Sequence, residues 1–314
     1  MKDKLYVSSS PHLHTKESAA KIMWLVALSL VPAGIAGIFI FGARALWVIA
    51  VGILSALASE GILQRLTKNK IRIFDGSAFL TGLLLAYNLP PSVPLWMPVI
   101  GSFFAIAIGK FVFGGLGKNI FNPALAGRAF LMASWPKYMT DFTSPFSYDA
   151  VTSATPLAML KEGKLIEKIS YLDLFFGKRA GCIGEVCILA LLIGAAFLLL
   201  RGYITWHIPV TYIATTGFFI YIFGGPAGFF SGDWLFHILS GGLVLGAFFM
   251  ATDYVTSPLA AKGQVIFGIG CGLLTAIIRL WGGYPEGASY AILMMNAAVP
   301  LIDRYARPRI YGTY

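Results

Sequence analysis

The sequence predicts an all-α polytopic membrane protein with about ten spanning segments in two inverted repeats of five. Three observations point there. The 314-residue chain is 57% hydrophobic and only 12% charged, against about 25% charged in a soluble domain. Its apolar runs are long enough to cross a bilayer. The two halves of the chain also look alike.

A spanning helix takes about 20 mostly apolar residues. The first half offers Ile22–Phe41, Arg44–Leu63, Ser77–Leu89, Leu95–Phe113 and Asn119–Ser134. The third and fifth are short and interrupted. A long polar stretch, Trp135–Gly181, follows. The second half offers Cys182–Leu200, Ile204–Phe223, Trp234–Thr252, Gly263–Trp281 and Gly287–Asp303.

Gly82 stands 12 residues before Pro94, and Gly246 stands 12 residues before Pro258. Each interval carries a polar break, at Asn88 and at Thr252–Asp253. Glycine-rich turns follow in both halves, at Gly114, Gly115 and Gly117 and at Gly282 and Gly283. An odd number of segments per half inverts the second copy. Inverted repeats with broken helices place a site near the midplane, where half-helix ends face one another.

Lys and Arg of short loops mark the cytoplasmic side. With the N-terminus inside, the inner segments hold Lys21, Arg65, Lys68, Lys110, Lys118, Arg201, Lys262 and Arg304 among others; the short outer loops hold only Arg44 and, at a helix end, Arg279. Both termini are then cytoplasmic. The expected organisation is a cytoplasmic tail (1–21), a first transmembrane repeat (22–134), an extracytoplasmic loop (135–181), a second repeat (182–303) and a cytoplasmic tail (304–314). The polar N-terminal stretch lacks a signal-peptide layout.

The net charge of +10 is spread over loops and termini, with no basic patch interleaved with aromatics, which argues against nucleic-acid binding. Cys182, Cys187 and Cys271 fit no metal-ligand spacing and read as packing residues. His12, His14, His207 and His237 show no ligand spacing either; the last two read as hydrogen-bonded histidines within helices. No nucleophilic triad, phosphate loop or dinucleotide fingerprint is present.

The outer loop contains Asp149-Ala150-Val151-Thr152-Ser153-Ala154-Thr155-Pro156-Leu157. Pro156 biases Thr155 toward an extended conformation. It also suits the first turn of a helix over Leu157–Leu160, with Thr155 as N-cap. Such an end favours anions, and an ordinary capping turn would look the same.

This run resembles the flavin-attachment motif Asp-x-x-(Ser/Thr)-Gly-Ala-(Ser/Thr), whose last hydroxyl is esterified to the phosphate of FMN. Asp149, Thr152, Ala154 and Thr155 match; Ser153 replaces the family glycine. Phe74-Asp75-Gly76-Ser77, Lys118 to Ala124, Gly181-Cys182-Ile183-Gly184-Glu185 and Met250-Ala251-Thr252-Asp253 extend the likeness. Together, from about Lys21 to Asp303, they resemble the RnfD family. Its members belong to the ion-translocating ferredoxin:NAD+ oxidoreductase (Rnf) complex, and the family is related to NqrB of the Na+-pumping NADH:quinone oxidoreductase.

The resemblance implies a membrane flavoprotein of a translocase in the bacterial inner membrane. It would carry electrons through covalent FMN on Thr155 between ferredoxin and NAD+, coupled to Na+ or H+ transport, and would not be catalytic alone. It implies the other Rnf subunits (C, G, A, E and B) as partners, a flavin transferase for maturation, a possible riboflavin in the membrane core and a urea-transporter-like fold. A solute channel or transporter of the same architecture, without a redox role, is the alternative.

Phe121-Asn122-Pro123-Ala124 reads as a helix start inside the membrane, with Asn122 capping and Pro123 in the first position. The positive helix end could face a cofactor. Arg128, one and a half turns on, either pairs with a phosphate or carboxylate or snorkels to an interface. Acidic residues at segment ends are Asp75, Glu185, Asp253 and Asp303. Asp253 is the candidate for a Na+ pathway, since an ionisable residue inside a membrane is a functional candidate by default; capping a helix end is the other role open to it, and the one preferred for Asp303.

Overall fold

The computed structural model describes residues 17–68, 72–146, 153–163, 170–225 and 228–306. Every long element among them is a helix. The first expected span is broken into α1 (Ala19–Ser29) and α2 (Val31–Phe41). Pro32, in the first turn of α2, lacks the N–H that would continue the ladder, and the Leu30 carbonyl at the break accepts a hydrogen bond from the Tyr87 hydroxyl at 2.9 Å. Next come α3 (Ala43–Leu66), α4 (Ser77–Tyr87) and α5 (Trp96–Ile106), which runs on into a π turn over Ala107–Phe111. Then α6 (Pro123–Ser134) ends the first half.

The described residues of the polar stretch carry three short helices, α7 (Pro136–Met139), α8 (Pro156–Lys161) and α9 (Tyr171–Phe176). The second half holds α10 (Ile188–Leu200), α11 (His207–Phe223), α12 (Trp234–Leu239) and α13 (Leu243–Leu245), which passes into a second π turn over Gly246–Met250. The last two helices are α14 (Ala261–Trp281) and α15 (Ala288–Tyr305).

Among the described residues, three stretches are long and apolar enough to cross a bilayer by themselves: Ala19–Phe41, Ala43–Leu66 and Ala261–Trp281. Shorter apolar helices stand with them, and the outward faces of the bundle are greasy: Phe39 is 77% exposed and Leu54 65%. Lipid is the solvent that such a surface requires, so the chain is a multi-pass membrane protein. Small residues permit the tight packing that membrane helices rely on. A Cβ on Gly82 of α4 would sit 2.6 Å from the Gly52 carbonyl of α3.

Two expected spans differ from the sequence reading. Cys182–Cys187 is not helical; Ile183 and Gly184 donate their N–H groups to the carbonyls of Leu89 and Tyr87, completing the open end of α4. Trp234–Thr252 is interrupted at Ser240–Gly242, where Gly241 has φ +68°. Two basic residues counted with the loops are in fact buried. Lys110, in the first π turn, donates to both carboxylate oxygens of Glu60 at 2.7 and 2.9 Å and to Ser77 Oγ at 2.6 Å. Arg279 ends inside the protein, bonded to the carbonyls of His237 and Ser240.

The end of α4 meets the end of the second π turn. Asn88, just past α4, points its Nδ2 at the Met250 sulfur at 3.6 Å, and Asn122 donates to the Met250 carbonyl at 3.3 Å. Asn296 of α15 accepts from the Asn122 N–H at 3.2 Å and donates to the Thr256 carbonyl at 2.8 Å. A belt of amides therefore satisfies the backbone ends that the broken helices leave open.

Candidate functional site

Thr155 opens α8 in extended conformation, and its Oγ1 accepts the Ala158 N–H at 3.2 Å. Pro156 takes the first helical position, as the sequence predicts. Thr155 is nonetheless 4% exposed, because it faces a cavity rather than solvent. Ser153 is tied to the Phe142 carbonyl through its N–H at 2.8 Å, while Ala154 is exposed. Asp149 and Thr152 lie outside the described residues.

The cavity is small, about 40 Å³, and is lined by Thr155, Arg128, Glu286, Met132, Phe142 and the Tyr284–Tyr290 pair, among others. Tyr284 and Tyr290 stack with ring centroids 5.2 Å apart and planes at 26°. The lining suits a flat, aromatic, polar-edged group: ring faces and thioethers for its plane, a guanidinium and a carboxylate for its edge. Lys161, at the far end of α8, donates to the Gly282 carbonyl and, at 3.1 Å, to that of Tyr284. It thus ties the Thr155 helix to the loop that carries Tyr284.

Arg128 does not snorkel. Its Nη2 meets Glu286 at 2.5 Å, and its Nη1 donates to Ser289 Oγ at 2.6 Å and to Asn88 Oδ1 at 3.0 Å. It links the Thr155 cavity to the central amide belt. Asn122 caps α6 as expected, accepting from the Ala124 and Leu125 N–H groups. It lies away from Thr155 and lines a second cavity of about 70 Å³. That cavity also holds Ser77, Lys110, Asn119, Thr252 and Asp253. Asp253 Oδ2 accepts from Thr256 Oγ1 at 3.1 Å. The structure therefore separates the expected site residues between two cavities, with the belt between them.

Sequence reasoning missed three features of the first site: Glu286, Arg179 and the inward course of Arg279. Glu185, noted only as a segment-end acid, accepts from the Cys182 N–H at 3.0 Å deep in the same region. The histidine expectation fails among the described residues: Nδ1 of both His207 and His237 is buried without a hydrogen-bond partner.

Comparison with known proteins gives consistent results. The model of the NQR2, RnfD, RnfE family matches residues 6–312. The D subunit of the proton-translocating ferredoxin:NAD(+) oxidoreductase complex of Clostridium ljungdahlii is 52% identical over 317 residues, covering 98% of this chain and 96% of that protein. The D subunit of the Na(+)-translocating ferredoxin:NAD(+) oxidoreductase complex of Acetobacterium woodii is 52% identical over 310 residues, covering 98% and 95%. The D subunit of the ion-translocating oxidoreductase complex of Cronobacter sakazakii is 39% identical over 350 residues, covering 98% of each chain.

Proposed function

The chain belongs to the NQR2, RnfD, RnfE family, and from this premise we propose that it is the D subunit of an Rnf-type ferredoxin:NAD+ oxidoreductase carrying FMN esterified to Thr155. The observation that carries the cofactor reading is the buried Thr155 hydroxyl opening onto a cavity walled by stacked tyrosines and an Arg–Glu pair. Thr155 would hold the phosphate, Tyr284 and Tyr290 the ring faces, and Arg128 the polar ring edge. Bound FMN would supply one-electron and two-electron redox chemistry; the protein supplies position, dryness and charge.

The remaining proposals follow from the same reading. The two halves form inverted repeats, supported by paired π turns and by helix ends that meet at Asn88 and Met250. Both termini are cytoplasmic and the α7–α9 region is outside, supported by the Lys/Arg bias. The second cavity, between Lys110 and Asp253, is the place for a riboflavin and for passage of the coupling ion. That ion is Na+ or H+, since relatives named for each are 52% identical to this chain. The other Rnf subunits (C, G, A, E and B) are the partners. A solute channel is disfavoured by the Thr155 segment, for which a pore has no need.

Peptide mass decides the cofactor question. The peptide containing Thr155 should be heavier by FMN less water, and an unmodified peptide from cells making the whole complex would refute the reading.

A further inference from the structure

Behind the Thr155 cavity lies a dry cluster of charges drawn from four parts of the chain. Arg128 comes from α6, Arg179 and Glu185 from the segment before α10, Arg279 from the end of α14 and Glu286 from the approach to α15. Arg128, Arg179, Arg279 and Glu185 are at most 5% exposed, and the Glu286 side chain is 13% exposed. The cluster is built around Gly241 and Gly242. A Cβ on Gly241 would lie 2.9 Å from Leu157 of α8, 3.2 Å from Arg279 Nη2 and 3.6 Å from Glu286; one on Gly242 would lie 2.8 Å from Glu185 Oε2. The charges therefore sit against the helix that Thr155 begins.

Three guanidiniums face two carboxylates. Only Arg128 is engaged with one directly. Arg179 directs its Nη groups to the carbonyls of Leu239 and Glu185 at 2.5 and 2.7 Å, and Arg279 directs its own to those of His237 and Ser240. Among the described residues, the Nε atoms of Arg179 and Arg279 have no hydrogen-bond partner, and the Glu185 and Glu286 carboxyl groups face each other closely enough to share a proton. An oxygen of each carboxylate and the Cys182 sulfur lie within 4.8 Å of one another. A metal ion there would have to displace the Arg128 guanidinium, which already reaches Glu286 and Cys182 Sγ. At least one positive charge is left over, away from water, where its field is weakly screened.

We propose that this leftover positive charge sets the electron affinity of the cofactor on Thr155, drawing an electron onto a group that becomes negative when reduced. The inference rests on the assignment of FMN to Thr155. Arg128 and Glu286 face the cofactor; Arg179, Arg279 and Glu185 act through the field and are positioning residues. An esterified phosphate brings a negative charge of its own, and the Lys161 ammonium on the same helix brings a positive one, so the excess remains for the ring. His237 and Tyr212 are the remaining ionisable side chains beside Arg279. The step is a one-electron transfer from a reduced protein partner of the complex to the cofactor, with no proton moved by the cluster.

The test is a spectroelectrochemical titration of the intact purified complex, with the Thr155→Ala complex subtracted to isolate this flavin. Arg279→Gln lowers the cluster charge by one and should move the midpoint potential down, and Arg279→Lys, which keeps the charge, should leave it in place. Arg179→Gln, at a second guanidinium that does not face the cofactor, should also move it down. Each shift should change the reduced-to-oxidised ratio at fixed ambient potential by on the order of tenfold. Arg179→Gln decides the matter even where an Arg279 variant does not fold. A potential unmoved by Arg179→Gln, or moved up, overturns the inference while the flavin stays on Thr155. A wild-type chain without covalent flavin overturns the underlying assignment instead, and the inference with it.

Discussion

Arg128 and Glu286 stand 158 residues apart in the chain and meet at 2.5 Å. Their contact joins the last helix of the first half to the loop that opens the last helix of the second. Removing one partner of a buried ion pair costs about 3–5 kcal/mol, because the other charge is left uncompensated. Arg128→Met and Glu286→Gln should each lower the melting temperature of the detergent-purified protein. The double Arg128→Met/Glu286→Gln variant should lose less than the two single losses added together. Strict additivity would mean that the two side chains do not depend on each other.

Lys161 tests the covering of the cavity. Lys161→Met keeps the stem but loses both carbonyl contacts to the 282–284 turn. The tyrosine wall should loosen, so iodide should quench the flavin fluorescence of the variant more steeply than that of the wild type. Identical quenching would leave the lysine as an incidental surface contact.

Topology is accessible to labelling. Lys137 on α7 and Lys68 after α3 are both exposed. A cysteine at position 137 should react with an impermeant maleimide in intact cells, and one at position 68 only after permeabilisation. The reverse pattern would invert the orientation proposed from the Lys/Arg bias.

Asp253 tests the ion route. Asp253→Asn removes a charge from the second cavity with little change in shape. It should leave the covalent flavin in place, since Thr155 lines the other cavity. Ferredoxin-dependent NAD+ reduction should slow, with weaker Na+ stimulation if Na+ is the ion. A wild-type rate and Na+ response would return Asp253 to a helix-end role, bonded to Thr256.

Much of the fold is legible in the sequence because local rules fix it. Asn122 and Thr155 each precede a proline, and each caps the helix that follows. The polar breaks at Asn88 and Thr252 interrupt apolar runs, and both mark real helix ends. Long-range pairing is what local rules do not reach. Lys110 reads as a loop cation, yet the π turn carries it to Glu60, 50 residues away. Arg179, Arg279 and Glu286 lie at the edges of segments, where sequence offers an interface or a solvated loop as readily as a buried partner. Glu185 is visible as an acid, but its neighbours come from three other parts of the chain. The Cys182–Cys187 stretch is apolar enough for a helix, yet its N–H groups complete α4 instead.

The central claim is that Thr155 carries the flavin, and in-gel fluorescence under denaturing conditions tests it most directly. The wild-type band should fluoresce, Thr155→Ala should be dark and Thr155→Ser should recover the signal, since serine offers the same hydroxyl at the same cap. A Thr155→Ala band as bright as the wild type would contradict the account.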